Sequence, residues 1–208
     1  MGPIPASLAK KRNQYEPAFI LLVGDFLRVC EFVEPTDAHL EVYSHRLYEI
    51  LLRACTEFGS LCREVLTAHG SSKEGHWNIT DFVKVAPILN LERQTSIALF
   101  WRPDPVNITP FEHWTAQAPG RPWYQGYNAV KHNRNAELPH ANLANVQNAL
   151  SAVFIILARL DFLEYQGSRM TAPGGMWQGT NRYRDIPFAL QYEFDASTLN
   201  PAKRDAGL

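Results

Sequence analysis

Three cysteines, at positions 30, 55 and 62, are all that the 208-residue chain carries, an odd number without metal-ligand spacing. A disulfide scaffold is therefore excluded and a reducing compartment is expected. Net charge is equally scarce: twenty Lys and Arg stand against twenty-one Asp and Glu. A polybasic nucleic-acid coat is ruled out for the chain as a whole, although a local patch stays open. Long apolar runs are absent as well. The longest, Ala18–Val23 and Ala152–Ala158, fall far short of the ~20 residues that a spanning helix needs. No apolar segment precedes Glu16, so no secretory signal is expected, and the reading is a soluble cytoplasmic protein without membrane contact. Three motifs are missing too: the Gly-x-Ser-x-Gly elbow, the Gly-x-x-x-x-Gly-Lys phosphate loop and the Gly-x-Gly-x-x-Gly turn. His39 and His45 are six apart, on opposite sides of any helix, so no metal site and no cofactor are expected.

What the chain does have is helical periodicity. Apolar residues are dense over 18–33, which predicts a buried helix. Leu40, Tyr43, Leu47, Leu51, Ala54, Phe58, Leu61 and Val65 then recur at alternating steps of three and four. That stripe predicts one long helix, with Asp37 as its N-cap and Gly70 closing it. Glu49, Arg53 and Glu57 are spaced to pair along its outer side, and Cys55 and Cys62 fall on the apolar side as core filler. Asn78 is expected to cap a short helix through Ala86, with Asp81 in its first turn. A second stripe, Leu143, Val146, Leu150, Val153, Leu157 and Leu160, predicts another helix with Gly167 as its C-cap.

Between these lies a different composition. Arg93–Trp101 is rich in Ile, Thr, Phe and Trp and reads as extended. Prolines at 103, 105, 110, 119 and 122 then forbid a regular helix. Trp101, Trp114, Trp123 and Trp177 are base-stacking candidates, of which at least two are expected to pack beneath this excursion. The organisation expected is a mobile arm over 1–16, one helical domain over 17–167 and a tail over 168–208 that docks in part on the domain.

Charge is unevenly placed. Residues 16–64 hold nine acids and four bases, whereas 121–140 hold three bases, one acid and two histidines. In that second stretch, on a helix continued to Asn135, Tyr124, Asn128, Lys131, His132 and Asn135 fall within an arc of roughly 100°. Two readings stay open for this face: a ligand surface, or a wet face with a hydrogen-bond network through Asn128 and His132. Arg134 and His140 flank the break at Ala136–Pro139. A helix start at His140 would offer unpaired N–H groups to a phosphate, beside the guanidinium fork of Arg134. Arginine, histidine and a helix N-terminus suit phosphodiester cleavage by the neighbouring ribose 2′-hydroxyl.

A helical domain in which Arg134-Asn135 is followed, after five residues, by His140 resembles the HEPN superfamily (higher eukaryotes and prokaryotes nucleotide-binding). Its ribonuclease members carry Arg, four to six residues and His, often with a polar residue after the Arg. The string Tyr127-Asn128-x-x-Lys131-His132-x-Arg134 before a long apolar helix also resembles uncharacterised bacterial HEPN-like proteins. The resemblance implies an all-α, HEPN-like bundle with a small extended or β insertion around 93–120. It implies a metal-independent endoribonuclease in which Arg134 stabilises the phosphate, His140 is the general acid/base and Asn135 orients one of them. Asn128, Lys131, His132, Tyr124 and Tyr127 would bind substrate, with His132 as an alternative working histidine. The partners implied are RNA or a nucleotide, a second copy in a homodimer, and an antitoxin or other protein in a toxin or phage-defence setting. The competing implication is a non-catalytic interaction or nucleotide-binding module. Arg63 and His69 repeat the spacing, but at the end of the first stripe, where carbonyls rather than N–H groups are free.

Overall fold

The computed structural model describes residues 5–9, 11–98, 106–160 and 188–192. They are mostly helical: α1 (Ala6–Ala9), α2 (Arg12–Cys30), α3 (His45–Ala68), α4 (Ile79–Phe82), α5 (Val85–Leu89), α6 (Pro122–His132), α7 (Arg134–Glu137) and α8 (Leu143–Arg159). Three short strands, β1 (Gln94–Ala98), β2 (Val106–Ile108) and β3 (Phe188–Tyr192), form an antiparallel sheet in the order β2-β1-β3. β1 and β2 fall in the stretch read as extended. β3 pairs with β1 in the register Gln94↔Tyr192 to Ala98↔Phe188. The expected cap at Gly167, the stacking candidates Trp101 and Trp177, and most of the tail lie outside the described residues.

The centre of the molecule is α8 packed on α3, with α2 and α6 beside them and the sheet against α8. Every residue of α8 from Ala149 to Leu157 is buried, so this helix meets neighbours all round. Each large aliphatic side chain placed there contributes roughly 1.5–3 kcal/mol relative to exposure. Ser151, inside that wall, has a buried hydroxyl with no hydrogen-bond partner among the described residues.

The first stripe is cut short at its start. α3 begins at His45 because Ser44, in extended conformation, accepts a hydrogen bond from the Leu47 N–H at 3.1 Å. Leu40 and Tyr43 continue the spacing but not the helix. Residues 40–43 run alongside the start of α8 instead, and Tyr43 is half exposed. Asp37, expected as the cap, lies in a separate 3-10 turn, Asp37–His39, and the cap of α3 is Ser44. The outer side also pairs differently. Arg53 reaches Asp25 on α2 rather than its own helix, and Glu49 takes Arg46 at 2.7 Å. Cys55 and Cys62 are fully buried, and burial pushes both thiols well above their ordinary range.

In the stretch before residue 17, read as an arm, described residues are tied to the body. Leu8 is buried, Lys11 pairs with Glu64 on α3 at 2.5 Å, and α2 starts at Arg12 and runs through Pro17. Asn78 does cap α4, in a reciprocal box with Asp81. Lys73 holds the Asp81 carboxyl below its usual range.

Within the proline-rich excursion, residues 109–121 cover the core. Phe58 of α3 sits among Phe82, Phe111, Trp114, Trp123 and Tyr124, with ring centroids 5.0–6.2 Å away. Residues 109–121 lie in neither helix nor strand, so carbonyls there are free to accept. The Trp114 indole donates to the Pro119 carbonyl at 2.8 Å, and Trp123 donates to that of Pro110 at 3.1 Å. Both tryptophans thereby bury their rings without orphaning an N–H.

Candidate functional site

α6 opens with Pro122 at its first turn and buries Trp123, Tyr124, Gly126, Tyr127 and Val130. It ends at His132, since Asn133 (φ −145, ψ 66) leaves the helical region. A new four-residue helix, α7, begins at Arg134, and Leu138–His140 follow as a 3-10 turn around Pro139. The expectation of one helix through Asn135 therefore fails. The break at Asn133 takes Asn135 out of register with Tyr124, Asn128 and Lys131. His140 is not the first residue of the next helix either, because α8 starts at Leu143 behind an Asn142 cap.

That cap closes the anion site expected at this helix start. The Leu143 N–H donates to the Val42 carbonyl at 2.9 Å and the Ala144 N–H to that of Leu40 at 3.0 Å. The Asn145 N–H donates to the Asn142 side chain at 3.0 Å, and the Asn142 amide reaches Glu41 at 3.1 Å. The donors that would have cradled a phosphate are spent on the fold itself.

The remaining candidates separate into two groups. Tyr124 belongs to the core: it is buried among Phe58, Trp123 and Tyr127, and desolvation pushes its phenol far above the usual range, Tyr127 adding to the effect. Lys131, His132, Arg134, Asn135 and His140 are exposed, and Asn128 is partly so. The Lys131 ammonium lies 5.3 Å from the centroid of the buried Tyr127 ring. The Arg134 guanidinium lies 5.9 Å from that of Tyr48 on α3. Each cation thus rests on an aromatic face, an arrangement worth about 0.5–1 kcal/mol where exposed. Arg121, the third base of the stretch, donates to the carbonyls of Gly120 and Glu112 and pins the excursion.

His140 has two partners. Its Nε2 is 3.2 Å from Oε2 of Glu137, one turn earlier. Its backbone carbonyl accepts from Asn145 Nδ2 at 2.8 Å. Gly126 makes room for that amide, since a Cβ at this position would lie 2.6 Å from Asn145 Nδ2. Sequence reasoning left out Glu137, Tyr48 and Asn145. Glu137 was legible from its three-residue spacing to His140. Tyr48 and Asn145 arrive from other helices and had no local signal.

The second Arg/His pair is used structurally. His69 turns Nδ1 to the Val65 carbonyl at 2.8 Å and Arg63 donates to Ser60 at 3.0 Å, both within the last turns of α3. Among the described residues no three His, Cys, Asp or Glu side chains gather as metal ligands, and no helix is long and apolar enough to cross a membrane. Comparison with protein-family models, with curated proteins and with solved structures finds no match.

Proposed function

We propose that the outward face formed by Lys131, Arg134 and His140 binds the sugar-phosphate backbone of single-stranded RNA and cleaves it without a metal. The observation that carries this reading is the placement of Arg134 and His140 on successive turns of one short exposed run, α7 and its 3-10 continuation. Their axial separation is about 10 Å from helical rise alone, a gap that a long guanidinium arm and a phosphate can bridge. The two exposed cations lie over the rings of Tyr127 and Tyr48.

In the reaction, His140 takes the proton of a ribose 2′-hydroxyl. The 2′ oxygen bonds to phosphorus, the bond from phosphorus to the 5′ oxygen breaks, and the imidazolium returns the proton to that leaving oxygen. The products are a 2′,3′-cyclic phosphate and a 5′-hydroxyl end. Arg134 balances the charge that builds on the non-bridging oxygens. A homodimer that sets two such faces together, in a HEPN-like toxin or defence setting and under the control of a partner protein, completes the proposal.

The test is incubation of purified protein with single-stranded RNA in EDTA. Cyclic-phosphate ends are expected, lost in Arg134→Ala and in His140→Ala with unchanged helicity; His132→Ala is the control for the alternative histidine. Retention of cleavage by both principal variants rejects the assignment.

A second reading is favoured by one observation, the occupied N–H groups at the start of α8. With no backbone cradle for a transition state, the same cations would serve a non-catalytic nucleotide-binding or interaction module. It predicts binding without cleavage.

A further inference from the structure

We infer that Tyr43 is the platform on which an unpaired base stacks while Arg134 holds the adjoining phosphate, so that the site takes single strands and not duplexes. The inference rests on the RNA-binding half of the proposed function and not on cleavage. Its basis is what lies beside the turn that carries His140. Tyr43 and Asn142 form an antiparallel bridge, and the Leu143 N–H donates to the Val42 carbonyl at 2.9 Å. His140 is two residues before Asn142. Bridged α-carbons are about 5 Å apart and each residue of chain spans at most about 3.5 Å, so the α-carbons of Tyr43 and His140 lie within about 12 Å of each other. A little further along the same segment, Tyr48 meets Arg134, whose guanidinium is 5.9 Å from the ring centroid. The start of α3 and the residue just before its cap thus border both halves of the face.

Three features single out Tyr43. It is 49% exposed, whereas Tyr15 and Tyr48 are partly buried and Tyr124 and Tyr127 belong to the core. Its backbone is held on both sides, by the bridge to Asn142 and by the Ser44 cap of α3. An aromatic ring on a fixed backbone loses little conformational freedom when a ligand settles on it. The third feature is charge. Glu41, two residues away, keeps a carboxylate beside this stretch, where it accepts from the Asn142 amide at 3.1 Å. A phosphate is repelled there, so the flat neutral part of a nucleotide fits the ring and the phosphate falls to Arg134. Base faces in a duplex are already stacked on one another, which leaves the ring to unpaired bases.

The test is fluorescence titration of the full chain with a 2′-O-methyl oligonucleotide carrying one 2-aminopurine. This probe has no free 2′-hydroxyl to attack the phosphate, and its emission is quenched when the base stacks. The wild type is expected to bind it with quenching. Tyr43→Ala should weaken binding about fivefold or more and abolish the quenching, while Tyr43→Phe stays within about twofold of the wild type. Tyr43→Leu, which keeps an apolar side chain without a flat ring, should behave as Tyr43→Ala does. The probe annealed to its complement should bind wild type and Tyr43→Ala alike. Wild-type affinity and quenching in Tyr43→Ala or Tyr43→Leu, or a Tyr43→Phe as weak as Tyr43→Ala, overturns the inference. Binding that is lost in Arg134→Ala but unchanged in Tyr43→Ala overturns it alone and leaves the proposed function standing. A wild type that binds the probe yet never cleaves the matching 2′-hydroxyl strand defeats the nuclease and leaves the stacking result intact; one that binds neither overturns both.

Discussion

Asn145 Nδ2 donates to the backbone carbonyl of His140 at 2.8 Å and ties α8 to the turn that carries the imidazole. The seat for this bond is the missing side chain of Gly126. Gly126→Ala would place a Cβ 2.6 Å from that nitrogen and 3.2 Å from the His140 oxygen. A helical Gly→Ala change ordinarily stabilises by about 1 kcal/mol, but overpacking costs about 1–3 kcal/mol and the displaced bond about another 1 kcal/mol. A net loss of about 1–3 kcal/mol follows, read from urea midpoints. Asn145→Ala should remove the clash, so the double variant should be no less stable than Gly126→Ala alone. A stabilised Gly126→Ala would show that the seat is loose.

Phe58 is the ring on which the excursion closes. Its truncation to Ala opens a cavity against five aromatic side chains and should cost about 3–5 kcal/mol. That is a large part of the roughly 5–15 kcal/mol available to a domain. Trp123, 5.0 Å away and edge-on, reports the change directly. Chemical denaturation followed by tryptophan fluorescence should give a lower midpoint and an altered native baseline. A loss under about 1 kcal/mol would mean that neighbouring rings collapse into the gap.

The helices were legible because burial imposes a period. The two apolar stripes located α3 and α8, and the Asn78/Asp81 pairing announced α4. Reading failed where local pattern and tertiary contact disagree. Leu40 and Tyr43 keep helical spacing, yet their backbone is claimed by Ala144 and Asn142. Asn133 and its neighbours look helical until the chain turns, and no residue nearby reveals that the N–H groups of α8 are already spent. The site followed the same division. Arg134, His140 and Lys131 are candidates from residue type and spacing, whereas the contacts of Tyr48 and Asn145 with them depend on how helices distant in sequence meet.

Glu57 offers a test of electrostatics away from the proposed site. It lines a shallow groove with Arg53, Thr56 and Leu52 of α3 and with Ala18 and Leu22 of α2. Desolvation raises its carboxyl above the ordinary 4.5, and Arg53 offsets only part of this. The folded chain therefore holds the proton more tightly than the unfolded chain. Below 4.5 both states are protonated and no penalty exists; as pH rises through 4.5 and then the raised folded value, ionisation favours unfolding until the penalty is constant. Glu57→Gln should raise Tm at neutral pH, with the gain vanishing below 4.5. A lower Tm at neutral pH would mean that the Arg53 attraction outweighs burial.

Under the proposed function, salt dependence separates the cations that would meet RNA from those that serve the fold. For single strands, each phosphate neutralised adds about 0.7 to the slope of log affinity against log salt. Lys131 and Arg134 are exposed and carry no carboxylate partner among the described residues. Lys131→Ala and Arg134→Ala should each flatten the slope by about 0.7, and the double variant by about twice that. Lys73 is the matched control, because its ammonium is 2.6 Å from Asp81 and supports the α4 capping box. Lys73→Ala should weaken that cap and lower thermal stability while leaving the slope unchanged. Fluorescence anisotropy of a labelled oligoribonucleotide across a salt series measures all four variants. Equal slopes for wild type, Lys131→Ala and Arg134→Ala would place RNA elsewhere on the protein, whatever the stability of the variants.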